Sequence, residues 1–96
     1  MIRSFGDSIT DDIFHGVQSK KTRKIPQEII DVAIRKLDQL NAAIEINDLK
    51  IPPGNRLEKL KADLKDYYSI RINDKFRIIF QWKNNDSYNV SITDYH

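Results

Sequence analysis

The second half of the chain alternates apolar and polar residues, which is the pattern of β-strands with one buried face. Alternating runs cover Tyr68–Ile72 and Phe76–Trp82, and a third begins at Tyr88. Turn-forming residues separate them, at Asn73-Asp74-Lys75 and again at Asn84-Asn85-Asp86. Because short connections join antiparallel neighbours, the pattern predicts an antiparallel meander.

The first half has a helical period instead. Pro26 is suited to open the main helix, since its missing N–H costs least in the first turn. The apolar positions that follow recur at helical spacing, at Ile30, Ala33, Ile34, Leu37 and Leu40. The run Pro52-Pro53-Gly54-Asn55 then breaks the helical region before the strands begin.

Shorter elements complete the plan. Ile2–Phe5 is expected to form a short first strand, and Thr10 to cap a short helix that ends at Gly16. Arg56–Leu60 is expected to enter the sheet as a further strand. The sequence therefore predicts a single α+β domain over residues 1–96. Its small antiparallel sheet combines the N-terminal strand with the C-terminal meander and packs against two to three N-terminal helices.

Composition narrows the function classes. The 96 residues hold 40% apolar and 31% charged side chains, as a globular domain does, and they include no cysteine. A thiolate nucleophile, a sulfur metal site and a disulfide framework are thereby excluded. No apolar run reaches membrane-spanning length and no signal-peptide core is seen, so a soluble cytoplasmic protein is expected. With two widely separated histidines and few glycines, we expect acid–base chemistry with cationic stabilisation and no metal or cofactor.

Strand register leads to a sharper inference about two arginines. A three-residue turn pairs Ile70 with Ile78 on the core face and sets Arg71 opposite Arg77 on the other face. Extending the meander then places Thr93 opposite Arg77. Like charges that face each other across strands are unfavourable. Either these are solvated arginines that splay apart, or their guanidiniums form a site for a phosphate dianion.

The same register makes predictions about the last strand. A turn over Lys83–Ser87 pairs Trp82 with Tyr88. Strict alternation then turns Asp94 and His96 toward the apolar face. A bulge or a departing tail would reverse that orientation, and bulges are common near functional sites.

The terminal run Asp94-Tyr95-His96 is a candidate for chemistry because it directly follows a strand that pins it to the sheet. Imidazole exchanges a proton near neutral pH, so His96 is a candidate acid or base. The alternative is that His96 is only a terminal residue. The company of Asp94, Tyr95 and the arginines favours a function.

Residues near the arginine pair are candidates for binding RNA. Tyr67 and Tyr68 adjoin, so one ring should pack inward while the outward ring is placed to stack on a base. A basic stretch that precedes the strands flanks the predicted phosphate site. The predicted phosphate- and RNA-binding set is Arg71, Arg56, Lys59, Lys61 and Tyr68.

Four segments carry a family resemblance, and they lie at Met1–Phe5, Pro52–Leu60, Ser69–Phe80 and Asp94–His96. They resemble the HigB toxins, or plasmid-maintenance killer proteins, of the RelE/ParE superfamily, and the resemblance runs essentially end to end. It implies a RelE-like fold and the toxin of a bacterial type II toxin–antitoxin pair. It further implies an mRNA interferase that cuts translated mRNA in the ribosomal A site. The implied partner is a HigA-like antitoxin with a helix-turn-helix. The toxin is expected to contact operator DNA only through this antitoxin.

The resemblance also implies site residues. Carried over by position, the family's catalytic residues fall on Arg77, Asp94, Tyr95 and His96. Glu58 stands where some members have a histidine, with Lys61 nearby, which leaves the general base open. The expected chemistry is metal-free attack of an RNA 2′-hydroxyl on the adjacent phosphorus, with Arg77 stabilising the charge and His96 acting as the acid.

Two other function classes stay open at this point. The superfamily includes non-nuclease toxins that poison gyrase, and fold alone does not settle function. The chain is also compatible with an inactive toxin that acts as an antitoxin-bound corepressor, since Glu58 departs from the family pattern.

Overall fold

Two α-helices pack against one face of a four-stranded antiparallel sheet in a computed structural model, which describes residues 1–94. Helix α1 covers Ser8–Phe14 and helix α2 covers Gln27–Ala42. The strands are β1 (Glu58–Lys59), β2 (Tyr67–Arg71), β3 (Phe76–Lys83) and β4 (Asp86–Asp94), and they neighbour one another in chain order. The predicted α+β architecture is confirmed.

The core lies between α2 and the sheet. Leu37 and Leu40 of α2 are fully buried, as the helical spacing requires, and they join Ile70, Ile78 and Phe80 from the strands in one apolar cluster. Fully burying one such side chain stabilises the fold by about 1.5–3 kcal/mol. This burial fixes which face of each strand turns inward, and the opposite face carries the polar residues.

The start of α1 differs from the sequence prediction. Asp7 is the N-cap residue, and its Oδ1 accepts a hydrogen bond of 2.8 Å from the Thr10 backbone N–H. Thr10 is instead fully buried inside the helix, and its Oγ1 accepts a hydrogen bond of 2.9 Å from the Ile92 backbone N–H. The prediction of Thr10 as the cap was wrong, because this hydroxyl satisfies a backbone group of β4.

The N-terminal residues run parallel to β4 along its outer edge. Ile2 bridges Ser87 and Phe5 bridges Val90, and the Gly6 N–H donates to the Val90 carbonyl at 2.8 Å. These are isolated bridges rather than a regular strand, so the predicted first strand is present only as a short edge ribbon.

The register between β2 and β3 is as predicted. Ile70 pairs with Ile78 and Arg71 pairs with Arg77, while Thr93 of β4 lies opposite Arg77. The alternation therefore places the arginines on the sheet face away from the helices.

The hairpin between β3 and β4 was predicted incorrectly. Its turn consists of Asn84 and Asn85, with φ of 53° and 63°, so Trp82 pairs with Ser87 rather than with Tyr88. Positive φ at two successive residues is the requirement of a type I′ hairpin turn, which asparagine tolerates well. A bulge in β4, where Asn89 has a φ of 51°, restores the predicted register beyond it.

The edge ribbon is fixed by an acidic residue at the start of β4. Asp86 lies 3.2 Å from the Met1 amine and 3.1 Å from Arg3 Nε. The hydrogen bond from Arg3, together with the nearby amine, lowers the pKa of the Asp86 carboxyl. Because the folded-state pKa is depressed, the stabilisation is present above the unfolded-state pKa and is lost as pH falls through the folded-state value.

We expect Asp86→Asn to lower the urea midpoint at neutral pH and to match the wild-type midpoint well below about pH 4, where the carboxyl is protonated in both states. Asp38→Asn, which removes the same charge at an exposed position of α2, controls for net charge. A difference between wild type and Asp86→Asn that stays constant down to strongly acidic pH would contradict this account.

Candidate active site

Arg77 is held against the sheet on the face opposite the helices. Its side chain is only 11% exposed. Its Nε donates to Ser69 Oγ at 2.9 Å, and its Nη2 donates to the Arg56 backbone carbonyl at 2.7 Å. Glu58 Oε1 lies 3.7 Å from the same Nη2. The guanidinium is therefore fixed by a hydroxyl and a carbonyl, with a carboxylate beside it.

Local backbone structure explains two of these contacts. Ser69 is fully buried on β2, where Glu58 of β1 pairs directly with it, so the register brings both to the Arg77 face. Arg56 follows the one-turn helix Pro53–Asn55 in the left-handed conformation, with φ 46° and ψ 53°. This conformation accompanies the contact of its carbonyl with Arg77.

The arginine pair is more balanced than the sequence suggested. Arg71 Nη2 contacts Asp74 Oδ1 across the turn, and Arg77 is near Glu58. Each arginine thus has a carboxylate of its own, because the turn brings Asp74 back beside Arg71 and β1 brings Glu58 beside Arg77. Both carboxylates are exposed, 98% for Asp74 and 47% for Glu58. The Arg71–Asp74 pair is largely exposed, and such pairs contribute little to stability.

A third cation extends the positive region toward α2. The Lys36 ammonium donates to Asn55 Oδ1. Burial lowers the pKa of Lys36, and the positive charges of Arg35 and Arg71 lower it further. Lys36 was not selected from the sequence, and it lies between the apolar positions of the helical period. The contact with the Pro53–Asn55 turn was not visible in the helical period.

Two of the predicted RNA-binding residues lie away from Arg77. Lys59 and Tyr68 pair across β1 and β2, with Lys59 Nζ 5.9 Å from the Tyr68 ring centroid. The Tyr68 ring stacks on Phe80 at 6.1 Å, so it belongs to the helix-packed face. Because side chains alternate along β2, Tyr67 rather than Tyr68 lies on the same face of the sheet as Arg77.

Lys61 lies in the connection between β1 and β2. It precedes the one-turn helix Ala62–Leu64, and the Leu64 N–H donates to its carbonyl at 3.2 Å. Three lysines, two apolar residues and Asp66 line a shallow cavity of about 540 Å³ on this loop. The loop thus presents positive charge beside β1.

Asp94 is the last residue of β4. It pairs with Phe76, so it lies on the sheet face that packs against the helices, as strict alternation predicts. The bulge at Asn89 lies upstream and does not reverse this orientation. Its carboxylate is 3.8 Å from Lys75 Nζ. Tyr95 and His96, the other predicted terminal site residues, lie outside the described residues, and their roles stay predictions.

Neither helix in residues 1–94 combines the length and the apolar character that crossing a bilayer requires.

The family model of the HigB-like toxin, described as the RelE-like toxin of the type II toxin–antitoxin system HigB, matches residues 3–96. The chain is 51% identical over 63 residues to Toxin HigB-1 of Vibrio cholerae serotype O1, a match that covers 66% of each chain. It is 33% identical over 75 residues to Endoribonuclease HigB of Proteus vulgaris, which covers 78% of this chain and 80% of that one.

Solved structures agree on the fold. The YoeB–YefM complex from Staphylococcus aureus contains a chain that matches with a TM-score of 0.63 at 20% identity, covering 100% of this chain and 98% of that chain. A YoeB dimer from the same organism matches with a TM-score of 0.60 at 21% identity, covering 99% and 97%. At this level of identity the likeness concerns the fold alone.

We expect Ser69→Ala to cost about 1–3 kcal/mol of unfolding free energy, because the Arg77 Nε–H then loses its acceptor in a buried position. Ser87→Ala is the matched control. The Ser87 hydroxyl is also buried and has no hydrogen-bond partner within residues 1–94, so its removal should cost little. Urea unfolding with an unchanged slope measures both variants. Equal destabilisation by the two would show that the Arg77 contact contributes nothing.

Proposed function

Because the chain belongs to the HigB-like family of RelE-like toxins of type II toxin–antitoxin systems, we propose that it is an mRNA interferase that cuts translated mRNA on the ribosome. The observation that carries the proposal is the Arg77 guanidinium, which is nearly buried and fixed by Ser69 and Arg56. The name of the Proteus vulgaris relative, Endoribonuclease HigB, supports the reaction class.

The proposed reaction is metal-free cleavage by the RNA itself. A base removes the 2′-hydroxyl proton, and the oxygen forms a bond to the adjacent phosphorus. The bond from phosphorus to the 5′-oxygen breaks, and an acid protonates the leaving oxygen. The products are a 2′,3′-cyclic phosphate and a free 5′-hydroxyl.

Arg77 stabilises the negative charge that builds on the phosphoryl oxygens. A donor that is already fixed in place needs no reorganisation when the charge develops, which is where electrostatic catalysis gains most. The phosphate takes the place of the Glu58 carboxylate near Nη2, since 3.7 Å is an ion-pair contact rather than a hydrogen bond. Arg71 supplies a second guanidinium on the same face.

Glu58 is our candidate for the general base. Its carboxylate lies beside Arg77 on the same face, and about half of its side chain is exposed to an incoming nucleotide. The family resemblance assigns the acid role to His96 and supporting roles to Asp94 and Tyr95. Asp94 would orient His96, and Tyr95 would position the nucleotide.

The remaining basic residues bind the RNA backbone in this proposal. Arg56 and Lys61 flank β1 beside Arg77. Lys59 and Tyr68, on the other face of the sheet, contact RNA beyond the scissile linkage. The net charge of +2 is modest, so the ribosome supplies most of the substrate positioning.

The proposed protein partner is a HigA-like helix-turn-helix antitoxin, and operator DNA is reached only through it. The S. aureus structures of YoeB with YefM support an antitoxin partner for a toxin of this fold. Action on translating ribosomes places the protein in the cytoplasm.

We expect Arg77→Ala, His96→Ala and Glu58→Gln each to lower single-turnover mRNA cleavage on ribosomes by about 10²–10⁴-fold, the usual cost of losing an acid–base or charge-stabilising group. Lys83→Ala, an exposed change at the far end of β3, is the control and should keep full activity. Full growth inhibition by both Arg77→Ala and His96→Ala would reject the site. Full activity of Glu58→Gln alone would remove only the base assignment.

We expect the toxin to cleave ribosome-bound mRNA at least about 10²-fold faster than the same naked mRNA, because positioning contributes much of the rate. Primer extension on an inducible reporter mRNA measures the cuts and their reading frame. Equal rates on the two substrates would contradict ribosome dependence. DNA damage without mRNA cuts would indicate a gyrase poison, and no effect on either would indicate an inactive corepressor.

A further inference from the structure

We propose that Asn55 is a positioning residue that holds Arg77 in its reactive place through the Arg56 carbonyl. This inference rests on the proposed function of Arg77. Asn55 is fully buried and polar, and its side chain is hydrogen-bonded to Lys36, Gln39, Leu49 and Ile51.

Asn55 connects three parts of the fold. Its Nδ2 donates to Gln39 Oε1 on α2 at 2.9 Å and to the Leu49 carbonyl at 3.1 Å. Its Oδ1 accepts from the Lys36 ammonium. Asn55 is the last residue of the short helix Pro53–Asn55. Its side chain thus anchors this helix to α2 and to the short helix Ile46–Lys50.

The next residue carries this anchoring to Arg77. Arg56 directly follows Asn55 in the chain, and its N–H donates to the Pro53 carbonyl at 3.1 Å. Its left-handed backbone is uncommon for a residue with a side chain and persists where the surroundings determine it. Its carbonyl then reaches Arg77 Nη2 at 2.7 Å. A shift of the Asn55 anchor therefore moves the carbonyl that orients the guanidinium.

The chemistry of the position requires an amide. The site presents an ammonium, which needs an acceptor, and three oxygens, of Gln39, Leu49 and Ile51, which accept from the amide NH2. Aspartate accepts but, as a carboxylate, cannot donate, and alanine does neither. Leaving a buried polar group unpaired is costly, so either change should displace the turn.

A purely structural role predicts a different result, and Asn41 offers the matched control. Asn41 Oδ1 accepts a hydrogen bond of 2.9 Å from the Ile2 backbone N–H, so it also joins α2 to a distant segment. That segment is the edge ribbon on β4 rather than the turn beside Arg77. Asn41→Ala should therefore lower stability and leave Arg77 in place.

The experiment compares Asn55→Ala, Asn55→Asp and Asn41→Ala in the full chain. The direct readout is hydrogen exchange of the Arg77 Nε–H, followed by ¹⁵N NMR, because this proton is bonded to Ser69. Both Asn55 variants should exchange at least about tenfold faster, and their kcat on ribosome-bound mRNA should fall by up to about 10²-fold with little change in KM. Asn41→Ala should change neither quantity. If an Asn55 variant fails to fold, Gln39→Ala replaces it in the experiment. This change removes one hydrogen-bond partner of Asn55 and should show a smaller effect of the same kind.

Asn55 variants that lose stability but keep the wild-type exchange of the Arg77 Nε–H would overturn the inference. So would Asn41→Ala and Asn55→Ala changing exchange and kcat equally. The exchange measurement needs no cleavage activity. If the wild-type protein cuts no RNA, the proposed function fails, while the link from Asn55 to Arg77 is still confirmed or rejected.

Discussion

The alternation of β3 is the constraint on which the rest of the structure depends. Ile78 and Phe80 are fully buried against α2, and a strand sends successive side chains to opposite faces. Arg77 must therefore lie on the open face, where β2 supplies Ser69 beside it. The hydrophobic effect that assembles the core thus also selects the face on which the cation lies, and no interaction specific to the arginine is needed for that choice.

The sequence predicted the parts of the fold that depend on side-chain period. The pairing of Ile70 with Ile78, and hence of Arg71 with Arg77, followed from the apolar pattern and one turn length. The turn of the β3–β4 hairpin was predicted incorrectly because its shape depends on positive φ angles at Asn84 and Asn85. Asparagine tolerates that conformation without requiring it, so the residues alone could not fix the loop length or the compensating bulge at Asn89.

The candidate site was predictable to the same extent and for the same reason. Arg77 was identifiable, because like charges across strands need an explanation. Ser69 was not, since a buried serine resembles any small residue in a strand. The contact of the Arg56 carbonyl with Arg77 was harder still to predict, because every residue has a backbone carbonyl and the sequence does not distinguish this one. Its signal was indirect: a rigid Pro-Pro-Gly-Asn break placed directly before an arginine.

The ribbon of residues along β4 has a consequence for how other chains can approach. The unpaired edge of a sheet is a template for strand addition and for aggregation. Here the Met1 and Ser4 carbonyls and the Arg3 and Gly6 N–H groups already occupy backbone groups of Ser87 and Val90. At the opposite edge β1 is only two residues long. A chain that extended the sheet at the β4 edge would first have to displace this native backbone pairing, and at the β1 edge it would find only two strand residues to pair with.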